Sequence, residues 1–180
     1  MPHQEGIVGP VPEGQDPEDY DKLRRRVLWA MPSGLYVLGV RAGDRRNGMT
    51  INLVTQVATN PKLVGAAVWK EAVTHDILAE GRIFSLNLLD REDKALTRKF
   101  VKPVEVDETA MTMNGFPFHD GRTGAPVLDQ AVAYLDCEVR QTVDCGDHTF
   151  YVGEVVEAAF QRDEDTPVLR MEDTRMNYGG

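Results

Sequence analysis

The stretch NGMTINLVTQVATNP, Asn47–Pro61, decides how this chain is read. It opens on an Asn-Gly turn signal and closes at a proline. Between them runs a strand-like segment in which Thr50, Asn52, Thr55 and Gln56 place polar side chains at nearly every second position. A plain core strand carries polar residues on its solvent face alone. Strand propensity accounts for Thr50 and Thr55, but asparagine is depleted in strands, and Asn52 and Gln56 fit that account less well. The segment therefore offers its side chains and backbone amides either to water or to a ligand.

Outward from this stretch, strands dominate. LYVLGVRA (35–42) pairs naturally with MTINLVTQVAT (49–59) as a β-hairpin across GDRRNG (43–48). KLVGAAVW (62–69) is apolar enough to be a strand buried on both faces. AVTHDILAEG (72–81) reads as a short helix ended by Gly81, RIFSLNLLD (82–90) as a strand, and REDKALTRKF (91–100) as a second short helix, its acids early and bases late as the helix dipole favours. Residues 101–130 carry Pro, Gly and little periodicity, and read as an excursion or lid. AVAYLDCEVRQTVDC (131–145) sets apolar positions such as Val132 and Tyr134 against Asp136, Glu138 and Arg140. The tight turn CGDH joins it to TFYVGEVVEAAF (149–160), and TPVLRM (166–171) makes a last short strand.

At the other end, residues 1–17 hold four of the ten prolines and three glycines, so they are expected to form an extended arm, with one domain over 18–180. A helix is expected from Pro17 to Met31, capped by Asp16 and stopped by Pro32 and Gly34, with an apolar stripe at Leu23, Val27 and Leu28. The expected architecture is mainly β: a β-barrel decorated with a few short helices. No Gly-x-Gly-x-x-Gly and no P-loop occur, and strands do not alternate regularly with long helices, which argues against a Rossmann domain.

A net charge of −9 repels phosphodiester backbones and excludes nucleic acid as a natural partner, while a small phosphorylated ligand needs only a local pocket. The Arg24–Arg26 run sits beside DPEDYDK and reads as a solvated helix face. No apolar run approaches the ~20 residues of a membrane span, and no signal peptide is evident. The two cysteines, Cys137 and Cys145, form no Cys-x-x-Cys or zinc spacing, so a reducing cytoplasm is the default compartment and no metal site is expected.

Among the four histidines, His3 lies in the arm and His119 in an irregular segment read as a surface turn. His75 stands near a helix start and His148 in the turn between two long strands. They form no His-x-x-x-His or His-Glu-x-x-His pair, and no Gly-x-Ser-x-Gly elbow exists. Position alone leaves open whether His148 shapes its turn or meets a ligand. A flavin would suit the opening stretch. Its pyrimidine edge alternates donors and acceptors that backbone groups match, and its phosphate wants hydroxyls, amides and a cation of the kind that Thr50, Asn52, Lys70 and Thr74 supply.

The order MPSGLYVLGV, NGMTINLVTQVATNPKLVGAAVWKEAVTHDIL, GRIFSLNLL, GDHTFYVGEV and a closing NYGG resembles the flavin reductase-like family, over roughly Met31 to the C-terminus. Each piece alone is short; five in order at family spacing make the resemblance. Ala58 stands where the family usually has a serine, which loses a hydroxyl and keeps a backbone amide. The resemblance implies an FMN-binding split barrel, a homodimer with the flavin near the interface, and NADH or NADPH as hydride donor. It places Thr50, Asn52, Gln56, Val57 and Ala58 at the ring and ribityl chain, with Ser33 approaching the ring from the neighbouring loop. Lys70, Thr74 and His75 are placed at the phosphate, and His148 on the nicotinamide side as the catalytic candidate. It leaves two outlets for the electrons: reduced flavin handed to a monooxygenase, or transfer to a redox protein by a flavoprotein without its own nicotinamide activity.

Overall fold

The computed structural model describes residues 9–174 and 176; residues 1–8 of the expected arm, His3 among them, and the closing NYGG lie outside them. The first helix, α1 (Pro17–Trp29), starts where expected: the Asp16 carboxylate accepts from the backbone N–H groups of Glu18 and Asp19, at 3.0 and 3.1 Å. Its apolar stripe is not buried. Leu23, Val27 and Leu28 are 48%, 60% and 52% exposed, so within this one chain the stripe has no core to enter.

The opening stretch turns out to be two strands and a crossing. The hairpin is β1 (Tyr36–Ala42) with β2 (Arg45–Ile51), so the turn is shorter than expected and Arg45–Gly48 is already strand. At Asn52-Leu53 the chain leaves β2 and begins β3 (Val54–Ala58), which pairs with β4 (Leu63–Trp69). After α2 (Val73–Gly81) come β5 (Ile83–Leu88) and an irregular helical segment whose α-helical part is α3 (Lys94–Thr97). The long strands β10 (Ala133–Cys145) and β11 (His148–Phe160) follow the excursion.

These strands form one antiparallel sheet in the order β2-β1-β5-β10-β11-β4-β3. Its two edges, β2 and β3, are consecutive in sequence and joined by Asn52-Leu53 alone, so the sheet comes round on itself but no hydrogen-bonded ladder closes it. One core collects side chains from both halves: Leu38, Val40, Ile51, Val64, Val68, Phe84, Cys137 and Tyr151, with Ile77 and Leu78 of α2 plugging it. The mainly β class is as expected.

Residues 101–130 are not a structureless lid. They fold into a small sheet of β6 (Val106–Asp107), β7 (Thr112–Met113), β8 (Phe116–Asp120) and β9 (Pro126–Leu128), over a second apolar cluster with Leu35, Val37, Phe100, Phe118 and Leu169. Arg46 pins this sheet to the main one: its side chain, 5% exposed, pairs with Asp120 and Glu108 and lies 5.3 Å from the Phe118 ring centroid. Asp136, expected on a polar face, is fully buried because it accepts from Thr123 N (2.7 Å) and Thr123 Oγ1 (2.6 Å), clamping the turn before β9. The expected last strand reduces to isolated bridges, Gly34 to Arg170 and Asp90 to Val168. Helix α2 ends not on a left-handed Gly81 but on Arg82 (φ 56°); Gly81 instead lies too close to the Arg41 carbonyl to admit a side chain.

Candidate flavin and nicotinamide site

Strand β4 organises the candidates. It pairs with β3 on one side and β11 on the other, and alternation splits its residues between two faces. Val64, Ala66 and Val68 enter the core; Gly65, Ala67 and Trp69 face out. His148 lies opposite Trp69 and Phe150 opposite Ala67, so His148 and Phe150 share that outer face. The Phe150 ring lies directly over Gly65, where any Cβ would collide with it. The exposed residues Gln56 and Val57, with Ala58, lie on β3. Among the described residues that strand pairs with β4 alone, and its other edge presents backbone N–H and C=O groups in alternation.

The expected ring contacts divide into two sets. Ser33 and Asn52 come together: both line a cavity of about 30 Å³ covered by Leu28, Trp29 and Met31. Ser33 Oγ is buried and has no hydrogen-bond partner among the described residues. Thr50 is engaged within the chain, donating its hydroxyl to the carbonyl of Thr97 at 2.6 Å. Its side chain is 1% exposed and joins β2 to α3.

The expected phosphate group, Lys70, Thr74 and His75, sits where β4 runs into α2. Thr74 is buried and its hydroxyl accepts from Asn47 Nδ2 at 2.7 Å. Asn47 Oδ1 in turn accepts from Val104 N at 3.0 Å. Read from sequence only as a turn signal, Asn47 is a buried node joining the hairpin, α2 and the segment that leads into the small sheet; an amide able both to donate and to accept, just before a strand turns apolar, was the available clue. Lys70 Nζ reaches Asp144 Oδ1 at 2.8 Å, and Lys70 N donates to the Asp147 carbonyl at 2.9 Å. His75 Nε2 meets Thr149 Oγ1 at 2.9 Å, with its ring edge-on to Tyr151. The first turn of α2 has no side-chain cap.

His148 is the first residue of β11 rather than a turn residue, with a side chain 19% exposed. Its Nδ1 lies 2.8 Å from Asp147 Oδ1. A carboxylate only accepts, so Nδ1 carries the proton and Nε2 is the nitrogen left for a ligand. The Asp144 carboxyl is held below the usual carboxylate range by Lys70 and by the Gly146 N–H, which fixes a charge at the same hairpin tip. Among the described residues no group of His, Cys, Asp and Glu could hold a metal, and Cys137 and Cys145 are free thiols.

Residues 28–179 match the flavin reductase like domain. The chain belongs to the flavin reductase-like family. An NADH-dependent FAD reductase from Streptomyces globisporus is 35% identical to it over 157 residues, covering 84% of this chain and 82% of that protein. The solved structure of the S. globisporus C-1027 NADH:FAD oxidoreductase SgcE6 superposes with a TM-score of 0.74 at 33% identity, covering 89% of this chain and 93% of that one. A high molecular weight rubredoxin from Moorella thermoacetica is 32% identical over 138 residues; the match covers 74% of this chain and 58% of that longer protein. The β4-centred arrangement therefore stands on a fold the family shares.

Two features of the site fit a flavin. The orphaned Ser33 Oγ beside Asn52 wants a hydrogen-bonding group, and the free edge of β3 offers the alternation of donors and acceptors that a flavin ring edge needs.

Proposed function

We propose that this protein is an NAD(P)H-dependent flavin reductase. The observation that carries the reading is that one strand, β4, has the free-edged β3 on one side and His148 on the other, so a flavin lying along β3 and a nicotinamide approaching from β11 would meet over its outer face. The flavin supplies the redox chemistry, taking hydride from the nicotinamide and releasing electrons to an acceptor. The chain supplies placement. In this reading Gln56, Val57 and Ala58 hold the flavin largely through the backbone of β3, Ser33 and Asn52 hydrogen-bond to it, and Lys70 with the backbone N–H groups of the uncapped first turn of α2 lies toward its phosphate. His148, with Asp147 on its Nδ1, directs Nε2 at the nicotinamide. FMN is the expectation from sequence; the names of the Streptomyces relatives support FAD, and the two share the flavin ring and first phosphate.

A homodimer belongs to this reading. An apolar groove of about 340 Å³, lined by Tyr36, Leu88, Leu135 and Val155, opens at one end of the sheet beside Gln56, and the stripe on α1 is exposed. A second copy would cover such surfaces. Light scattering should return about twice the 20.1 kDa chain mass; a monomer with full flavin affinity would contradict it.

The deciding experiment is anaerobic titration of the protein, loaded in turn with FMN and FAD, by NADH and by NADPH. Bleaching of the flavin absorbance by either nicotinamide supports the reductase. Tight flavin without reduction favours the second reading, an electron-transfer flavoprotein with a redox-protein partner, to which the rubredoxin relative lends support. No helix among the described residues is long and apolar enough to cross a membrane.

A further inference from the structure

We infer that His75 is a positioning residue for His148, acting through Thr149 from the core side of β11; the inference rests on the reductase reading for its consequence, though not for its geometry. The sequence resemblance places His75 at a phosphate; within the chain its Nε2 is engaged by Thr149. His148 and Phe150 point to the outer face of the sheet, so Thr149 and Tyr151 point to the opposite one. His75 meets both of the latter: Nε2 lies 2.9 Å from Thr149 Oγ1, and the ring stands edge-on to Tyr151 with centroids 5.7 Å apart. Tyr151 is 2% exposed and belongs to the main core, as do Ile77 and Leu78 on the same helix as His75. The imidazole is thus mounted on a rigid base, with its side chain 18% exposed.

What it holds needs holding. The tip Asp144–His148 turns at Gly146 (φ 83°), and Asp144, Cys145 and Asp147 are exposed. The tip is also fastened by Lys70: its N–H donates to the Asp147 carbonyl, and its Nζ makes a solvent-facing pair with Asp144, which lies opposite Thr149 in the ladder. A pair that open to water is weak and screened by salt. The hydrogen bond between His75 and Thr149 is the enclosed fastening, one residue from His148. Without it the start of β11 keeps its ladder to β4 but loses the side-chain stop that fixes its rise above α2. A displacement of about 1 Å at a positioned group costs on the order of a hundredfold in rate.

The test uses full-length protein carrying Thr149→Val or His75→Phe, which delete the bond from either end, and Thr149→Ser, which restores it. In the apoprotein, the ring Cε1–H and side-chain nitrogen signals of His148 are read by NMR. They should move in both deletion variants and return to the wild-type position in Thr149→Ser. With flavin bound, anaerobic stopped flow should find reduction at saturating NADH slowed about tenfold in the deletion variants, with flavin affinity within about twofold of wild type and Thr149→Ser restored. Unmoved His148 signals together with wild-type reduction in Thr149→Val and His75→Phe would overturn the inference. If neither nicotinamide reduces wild type, the reductase reading fails by itself, and the His148 signals still decide whether His75 sets that ring.

Discussion

At the scale of single residues, the chemistry concentrates in His148 and the buried polar groups around β4. His148→Ala is expected to leave flavin affinity intact, because the flavin-facing groups lie on β3 and at Ser33 and Asn52. It should slow reduction by nicotinamide by about tenfold to a hundredfold, the worth of one orienting hydrogen bond, while dithionite still reduces the flavin. Stopped-flow reduction at saturating NADH and NADPH measures this; a wild-type rate would return His148 to a purely structural role. Asn47 is the complementary case. It is 4% exposed and its amide serves Thr74 on one side and Val104 on the other. Asn47→Ala would strand both partners away from water and should cost about 2 kcal/mol of stability, seen as a lower urea midpoint with unchanged slope.

At the scale of elements, α1 and the small sheet behave oppositely. Helix α1 is well capped but buries no residue. Asp16→Ala removes a cap worth about 1 kcal/mol. Since the helix adds little to this chain's core, amide exchange over 17–29 should speed up about fivefold while the global unfolding midpoint stays put. A matching fall in the global midpoint would mean that α1 is packed in solution, as a second copy on its apolar stripe would arrange. The small sheet is held by charges instead. Arg46, nearly enclosed, faces Asp120 and Glu108, and the Asp120 carboxyl lies below its usual range chiefly through its hydrogen bond to Arg46. Arg46→Met should therefore loosen residues 106–128 first, which exchange measurements would report as faster exchange there than in β10 and β11.

For the whole molecule, pH sets two carboxylates against each other, the exposed Asp120 and the buried Asp136. Asp120 binds its proton more weakly when folded, so its contribution is present above about pH 4 and is lost as pH falls through its lowered folded value. Burial pushes the Asp136 carboxyl up, in spite of the hydrogen bonds from Thr123. The folded state then holds that proton more tightly than the unfolded one, and stability falls as pH rises from about 4 through the raised folded value. Asp136→Asn keeps an acceptor for Thr123 N and removes the titration. Urea midpoints from pH 4 to 7 should fall less with rising pH in the variant than in wild type; parallel profiles would show that Asp136 is not the group responsible.

The sequence by itself determined the class of fold, the capped start of α1, the hairpin of β1 and β2 and the family, because each of these is written in local signals: period-two alternation, Gly and Pro at turns, a cap residue before a proline, and short motifs in fixed order. It also picked out MTINLVTQVAT as unusual. Only the tertiary structure decided why. Asn52-Leu53 crosses between the two edges of the sheet, which no periodicity announces, since β2 and β3 each look like the continuation of the other. The same crossing separates Thr50, turned inward to the Thr97 carbonyl, from Gln56 and Val57, exposed on the free edge. Residues 101–130 hid their strands because these are two to five residues long, too short to display a period. The partners of Asn47, Lys70 and His75 lie 27 to 74 positions away in the chain, and a hydrogen bond formed over such a separation leaves no mark on the spacing of its neighbours.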